Sequence, residues 1–232
     1  MHERNKTGIC IGKDTRKTQQ MICRKRKILY IHIPRTGGQS IEHILFPSYS
    51  FNDEENRNIL YGWNDKIGWL NHLTCQEIKG DNYVPDNEFK NYFKFAFVRN
   101  PWERLVSEYA WKYPGNFSLF RQYCSDILEE RYDKWTAGYR DPLAFRQHLR
   151  EQYKYIYDNQ GRLLIDFLGR YENLAVDFLE ICKMRSLKCS KLPLYNKSKH
   201  RYYTFYYDKV TREIAGRIYR EDIKIFNYQF GD

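Results

Sequence analysis

Two short segments carry the residue types that grip an anion. Pro34-Arg35-Thr36-Gly37-Gly38-Gln39-Ser40 sets two glycines among a guanidinium and two hydroxyls. Glycines let a backbone wrap closely around a charged group, and the open amides and positive dipole at a helix start point at it. Such a turn is equally often a plain connection, and it is not the P-loop of kinases, whose G-x-x-x-x-G-K-[ST] spacing and lysine are missing. The second segment is Phe97-Val98-Arg99-Asn100-Pro101-Trp102-Glu103-Arg104-Leu105-Val106-Ser107. Arg99 and Ser107 lie about two helical turns apart, so they share one phosphate only if that helix packs beside the same cleft. The plainer alternative pairs Arg99 with an acid and leaves Ser107 as a helix-interior hydroxyl.

The elements around these residues are legible from periodicity. Ile28-Leu29-Tyr30-Ile31-His32-Ile33 is a β-rich run that stops at Pro34, and after the glycine turn Ile41, Ile44 and Leu45 recur at helical spacing. His32, inside that strand, reads as a packing residue. Phe93–Val98 is the next strand, and it places Arg99 at the carboxyl edge where α/β sheets bind ligands. Asn100-Pro101-Trp102-Glu103 is a helix start with Asn as N-cap, Pro at N1 and Glu at N3. Asp141-Pro142 is a second start, and Asp158–Gly161 is a turn before a third strand, Leu163–Leu168. Helices follow through Leu174, Phe178 and Cys182 and close the chain from Val210 to Phe226, whereas residues 47–90 read as a long, irregular excursion. Strands alternating with helices predict an α/β, three-layer fold with a mostly parallel central sheet flanked by helices.

Together the two segments resemble the PAPS-dependent carbohydrate sulfotransferase family, which has a P-loop NTPase-like fold. The resemblance extends through Tyr92–Pro101, Gly169-Arg170-Tyr171-Glu172-Asn173-Leu174, Tyr206-Tyr207-Asp208, Asp222-Ile223 and Phe226-Asn227-Tyr228, most of residues 28–230. It implies that Arg35, Thr36, Gly37, Gly38, Gln39 and Ser40 bind the 5′-phosphosulfate of PAPS and that Arg99 and Ser107 bind its 3′-phosphate. Arg35 stands where these loops often carry Lys. It stays protonated, so its catalytic role would be electrostatic, on the leaving phosphate. The resemblance also puts a catalytic histidine in the interval occupied by His72. Glu77 is the reserve base, and Glu54 and Glu55 are further candidates. In related enzymes a loop before the last helix closes over the nucleotide, which would bring Ser198 to it; a solvated loop is the alternative. Arg170 and Glu172 read as a structural pair.

These features imply in-line transfer of a sulfuryl group from PAPS to a hydroxyl of a saccharide or polysaccharide, with adenosine 3′,5′-bisphosphate as product. No metal is expected, because Arg35, the loop amides and Arg99 supply the positive charge. Two rival readings stand beside this one: an ATP-dependent phosphotransferase that uses the same glycine turn, and a non-catalytic polyanion-binding module driven by basic charge.

Composition bounds these readings. The chain has 232 residues, 42% hydrophobic and 17% aromatic, which excludes a disordered polymer, and a net charge of +10, which suits an anionic partner. Residues 1–27 hold nine Lys or Arg against Glu3 and Asp14, a balance of +7. That leaves +3 for a domain over residues 28–232, so anion preference in the body rests on placed groups. The arm would suit an acidic acceptor, and nucleic acid is not expected. No run of spanning length and no leader-like segment is present, so the expectation is a cytoplasmic enzyme, or a Golgi one only if an anchor is missing. Six scattered cysteines read as thiols of a reducing compartment, and the sequons at Asn5, Asn116 and Asn196 carry little weight.

Overall fold

The apolar run beginning at Ile28 forms a four-residue strand that is buried throughout, the mark of a strand covered on both faces. This computed structural model describes residues 21–45, 63–80, 83–187, 189, 192 and 201–232. In chain order the elements are β1 (Ile22–Cys23), β2 (Ile28–Ile31), α1 (Gly38–Leu45), β3 (Trp63–Asn64), β4 (Gly68–Trp69), α2 (Cys75–Gly80) and α3 (Asp86–Asn91). They continue with β5 (Phe93–Val98), α4 (Pro101–Lys112), α5 (Phe120–Leu128), α6 (Pro142–Leu149), α7 (Tyr153–Ile156), β6 (Phe167–Arg170), α8 (Leu174–Met184), α9 (Lys209–Ile218) and α10 (Arg220–Phe226).

The main sheet runs β1-β2-β5-β6, with β2, β5 and β6 parallel and β1 antiparallel at the edge. The α/β class with a mostly parallel, helix-flanked sheet is therefore as the sequence predicts. Phe95 of β5 stacks on Tyr30 of β2 with ring centroids 4.8 Å apart, so the strands are joined by side chains as well as by the ladder. Helix α4 buries Leu105, Val106, Tyr109 and Ala110. Each of the larger side chains contributes about 1.5–3 kcal/mol of transfer free energy.

Several expectations are corrected. The third strand is Phe167–Arg170 rather than Leu163–Leu168, because the ladder with β5 pairs Phe95 with Phe167 and Val98 with Arg170. Leu163 makes only an isolated bridge to Tyr157. Met21, Ile22 and Cys23 are buried and pair with β2, so the sheet includes residues assigned above to the arm. The excursion over residues 47–90, read as irregular, contains the β3–β4 hairpin, a 3-10 turn at Leu70–His72, α2, and all of α3 but its last residue. Cys182 and Cys189 form a disulfide, contrary to the thiol reading, while Cys23, Cys75 and Cys124 are free and buried.

Candidate active site

The first turn takes its shape from its backbone. Arg35 and Gly37 both adopt positive φ, 69° and 83°, a region glycine enters freely and arginine rarely does. Thr36 Oγ1 donates to Ile33 O at 2.8 Å, and Ser40 N donates to Gly37 O at 3.1 Å as α1 begins. Gly38 is fixed by close approach, since a Cβ there would fall 2.0 Å from Nε2 of His32. Of the predicted loop residues, Thr36, Gly38 and Ser40 are buried, Arg35 and Gly37 half-buried and Gln39 exposed.

Helix α4 brings the second segment onto this turn. Arg99 Nη1 donates to Arg35 O at 3.0 Å, and the Arg35 guanidinium donates to Ser107, from Nε to Oγ at 3.2 Å and from Nη2 to the carbonyl at 3.0 Å. Arg35, Arg99 and Ser107 are thus one connected group. Arg99 also pairs with Glu103 at 3.0 Å, lies 3.9 Å over the Tyr171 ring, and keeps a buried Nε with no hydrogen-bond partner. An orphaned guanidinium donor beside a second arginine and a glycine turn fits a group carrying phosphates. The Thr36 hydroxyl, spent on Ile33, supports the turn.

His72 sits beside this group in a cluster of imidazoles. Its ring is 4.6 Å from that of His32 and 5.1 Å from that of His148. Nδ1 donates to His32 O at 3.1 Å, and Nε2 accepts from Asn71 Nδ2 at 3.2 Å. Burial, then the neighbouring His32 and His148, push its pKa well below the usual histidine value, so His72 is neutral. His32 Nδ1 lies 2.7 Å from Glu42 Oε1, close but off the angle of a hydrogen bond. Glu77 and Thr74 cap the start of α2 reciprocally. Thr74 Oγ1 accepts from Glu77 N, and Glu77 Oε2 accepts from Thr74 N at 2.7 Å and from Arg150 at 2.9 Å.

Four residues of the cluster, His148 among them, escape the sequence reading. Glu108, one position after Ser107, is buried and accepts from His148 Nδ1 at 3.0 Å and from the Tyr139 hydroxyl, with Arg35 Nε 3.7 Å away. Arg104 is buried and donates to the carbonyls of Pro34, His148 and Arg150, which braces the first turn against the end of α6. Gln152 grips both backbone groups of Arg99, at 2.9 and 2.8 Å. The available signal was charge on an apolar helix face: Arg104 and Glu108 stand at i and i+4 on the side that buries Leu105 and Tyr109.

Arg170 and Glu172 do not pair with each other. Arg170 donates to Phe226 O, and Glu172 accepts from Asn100 N at 2.7 Å and from the Tyr228 hydroxyl at 3.0 Å, so both tie the chain's end to the site. Ser198, Glu54 and Glu55 lie outside the described residues. Among the described residues no cluster of His, Cys, Asp and Glu is arranged to hold a metal ion, and no helix is long and apolar enough to cross a membrane.

Comparison with known proteins adds a family. The model of the sulfotransferase family matches residues 18–229. An uncharacterized protein of Archaeoglobus fulgidus is 31% identical over 105 residues, 44% of this chain and 74% of that protein. Carbohydrate sulfotransferase 11 of Rattus norvegicus is 25% identical over 187 residues, 68% of this chain and 51% of the relative. Carbohydrate sulfotransferase 10 of Gallus gallus is 25% identical over 247 residues, 91% of this chain and 66% of the relative. The chain thus spans about half to two thirds of these two relatives. No solved structure is a significant match.

Proposed function

The chain belongs to the sulfotransferase family, and from that premise we propose that it moves a sulfuryl group from PAPS to a hydroxyl of a saccharide. The observation that carries this reading is the bonded group Arg99, Arg35 and Ser107 at the carboxyl edge of the parallel sheet. On this reading the first turn and the start of α1 hold the 5′-phosphosulfate, and Arg99 and Ser107 hold the 3′-phosphate. Arg35 exchanges its contact with Ser107 for the leaving phosphate, where a fixed cation stabilises the charge that develops. The saccharide acceptor is supported by the names of the two carbohydrate sulfotransferases, and the cationic residues preceding Met21 suit an acidic one. The disulfide Cys182–Cys189 supports an oxidising compartment over the cytoplasmic one first expected.

Thermal unfolding with nucleotides tests the donor. Adenosine 3′,5′-bisphosphate should raise Tm well above the rise given by AMP, since a ligand at about 100 times its Kd adds about 2.7 kcal/mol. Arg99→Ala should erase the difference between the two nucleotides. Equal shifts in the wild type would remove the 3′-phosphate site, and with it the case for PAPS. A screen of oligosaccharide acceptors with PAPS, read by mass, then identifies the product.

A further inference from the structure

We propose that His148, oriented by Glu108, is the general base of the reaction, receiving the proton of the acceptor hydroxyl on Nε2. The proposal rests on the sulfotransfer reading above and assigns a residue within it. Three observations carry it. First, His148 and Arg35 address the same carboxylate oxygen: Oε2 of Glu108 is 3.0 Å from His148 Nδ1 and 3.7 Å from Arg35 Nε. One buried acid therefore spaces the imidazole from the cation that faces the leaving group. Second, the bond to Glu108 fixes the tautomer. Nδ1–H donates to the carboxylate, so the neutral ring carries its lone pair on Nε2, and that nitrogen has no hydrogen-bond partner among the described residues. Third, His72 is committed on both nitrogens, Nδ1 to His32 O and Nε2 to Asn71. The His148 side chain is 16% exposed, whereas His72 as a residue is 7% exposed.

The surroundings suit a base that must gain and lose a proton. Glu108 of α4 stays ionised: burial raises its pKa, but His148, Arg35 and the Tyr139 hydroxyl outweigh burial and hold it at about 2. His72 faces the ring at 5.1 Å, Tyr139 at 5.7 Å, and Arg104 holds the His148 carbonyl at 2.7 Å. The anion of Glu108 stabilises the imidazolium formed during transfer, and Arg35 balances that anion beforehand. In the step itself the acceptor oxygen bonds to sulfur, the bond from sulfur to the bridging 5′-phosphate oxygen breaks, and its electron pair leaves with adenosine 3′,5′-bisphosphate. The hydroxyl proton passes to Nε2 and then to water. Glu108 is a positioning residue in this scheme, and His72 forms a neutral wall behind the ring.

The decisive variant is His148→Asn, whose amide can still donate to Glu108 but which has no Nε2 to accept a proton. Turnover of PAPS with a saccharide acceptor should fall about 10²- to 10⁴-fold, with the Tm rise given by adenosine 3′,5′-bisphosphate retained. The acid limb of kcat/KM should vanish in this variant and persist in His72→Gln. Turnover within about threefold of wild type would overturn the proposal. If the variant does not fold, ¹⁵N NMR of the wild-type histidines decides instead. A His148 ring with a proton on Nδ1 that titrates at Nε2 supports the base, and a ring protonated on Nε2 throughout overturns it. A wild-type enzyme that binds the bisphosphate but moves no sulfuryl group to any saccharide sinks the sulfotransfer reading, and this assignment falls with it. A fully active wild type with an unaffected His148→Asn sinks the assignment alone.

Discussion

Two strand-turn-helix units stand side by side in this sheet, β2–α1 and β5–α4, and they solve the same turn in opposite ways. The first is shaped by backbone: positive φ at Arg35 and Gly37, and a Gly38 pressed against His32. The second is shaped by a side chain, since Asn100 Oδ1 accepts from Trp102 N and Glu103 N, with Pro101 at N1. On the function proposed above, the first turn offers main-chain amides to an anion, whereas the second spends its amides on its own cap. The second unit contributes to the site through side chains further along, Arg99 before the cap and Ser107 and Glu108 after it. The difference explains why glycine is needed at one turn and asparagine at the other, although both lie at one edge of one sheet.

The largest effect is expected where the first turn has no slack. In Gly38→Ala the new methyl meets the His32 ring 2.0 to 2.5 Å away, so either the buried ring or the helix start must move. Overpacking of this kind costs about 1–3 kcal/mol, and we place this case at the upper end because the ring is hemmed in by Tyr30 and His72. Calorimetric titration should then find no measurable binding of adenosine 3′,5′-bisphosphate in a protein that still unfolds cooperatively. Binding at wild-type strength would mean that the turn does not depend on this packing, and the contrast between the units would fail.

A second test addresses the tie between the units, the carboxylate of Glu108 in α4 facing Arg35 of the first turn. Burial raises its pKa, but His148 first, and then Arg35 and the Tyr139 hydroxyl, outweigh burial and hold it at about 2 against an ordinary value of 4.5. A depressed acid stabilises the fold above its unfolded pKa, and that contribution is lost as pH falls from 4.5 through 2. The difference corresponds to about 3 kcal/mol by linkage. Urea unfolding should therefore show stability falling over that window in the wild type and a shallower fall in Glu108→Gln. Equal slopes would mean that this carboxylate gains no net stability from His148 and Arg35 together.

How much of this could be read from the residues follows the same division. The second unit announces itself locally: Phe93–Val98 is apolar at every position but one, and Asn-Pro-x-Glu is a helix start in four letters, so strand and helix both fall where periodicity puts them. The first turn was legible in its glycines and hydroxyls, and its location at the strand's end was correct. What stayed hidden depends on partners distant in sequence. Glu108 looks like any helical acid until His148, forty positions later, closes on it. The β6 boundary moved by four residues because strand pairing, not the apolar run from Leu163, selects which residues join the ladder. The disulfide between Cys182 and Cys189 requires knowing that the chain after α8 turns back toward it.

The smallest expected effect distinguishes a cap from an anion site. Asn100→Ala removes the acceptor for Trp102 N and Glu103 N and also the Nδ2 donor to Gln229 O at 2.9 Å. Loss of a cap of this type costs about 1 kcal/mol, so the chemical-denaturation midpoint should drop modestly with the slope unchanged. Asn100→Asp keeps the Oδ1 acceptor but replaces the Nδ2 donor with an anionic oxygen facing Gln229 O, so the stability gap between the two variants weighs the retained cap against that buried repulsion. If the second turn's amides serve only α4, both variants should bind adenosine 3′,5′-bisphosphate within about twofold of wild type once folded. If affinity instead falls in parallel with stability, those amides also reach the nucleotide, and the two turns form one anion site rather than one site and one brace.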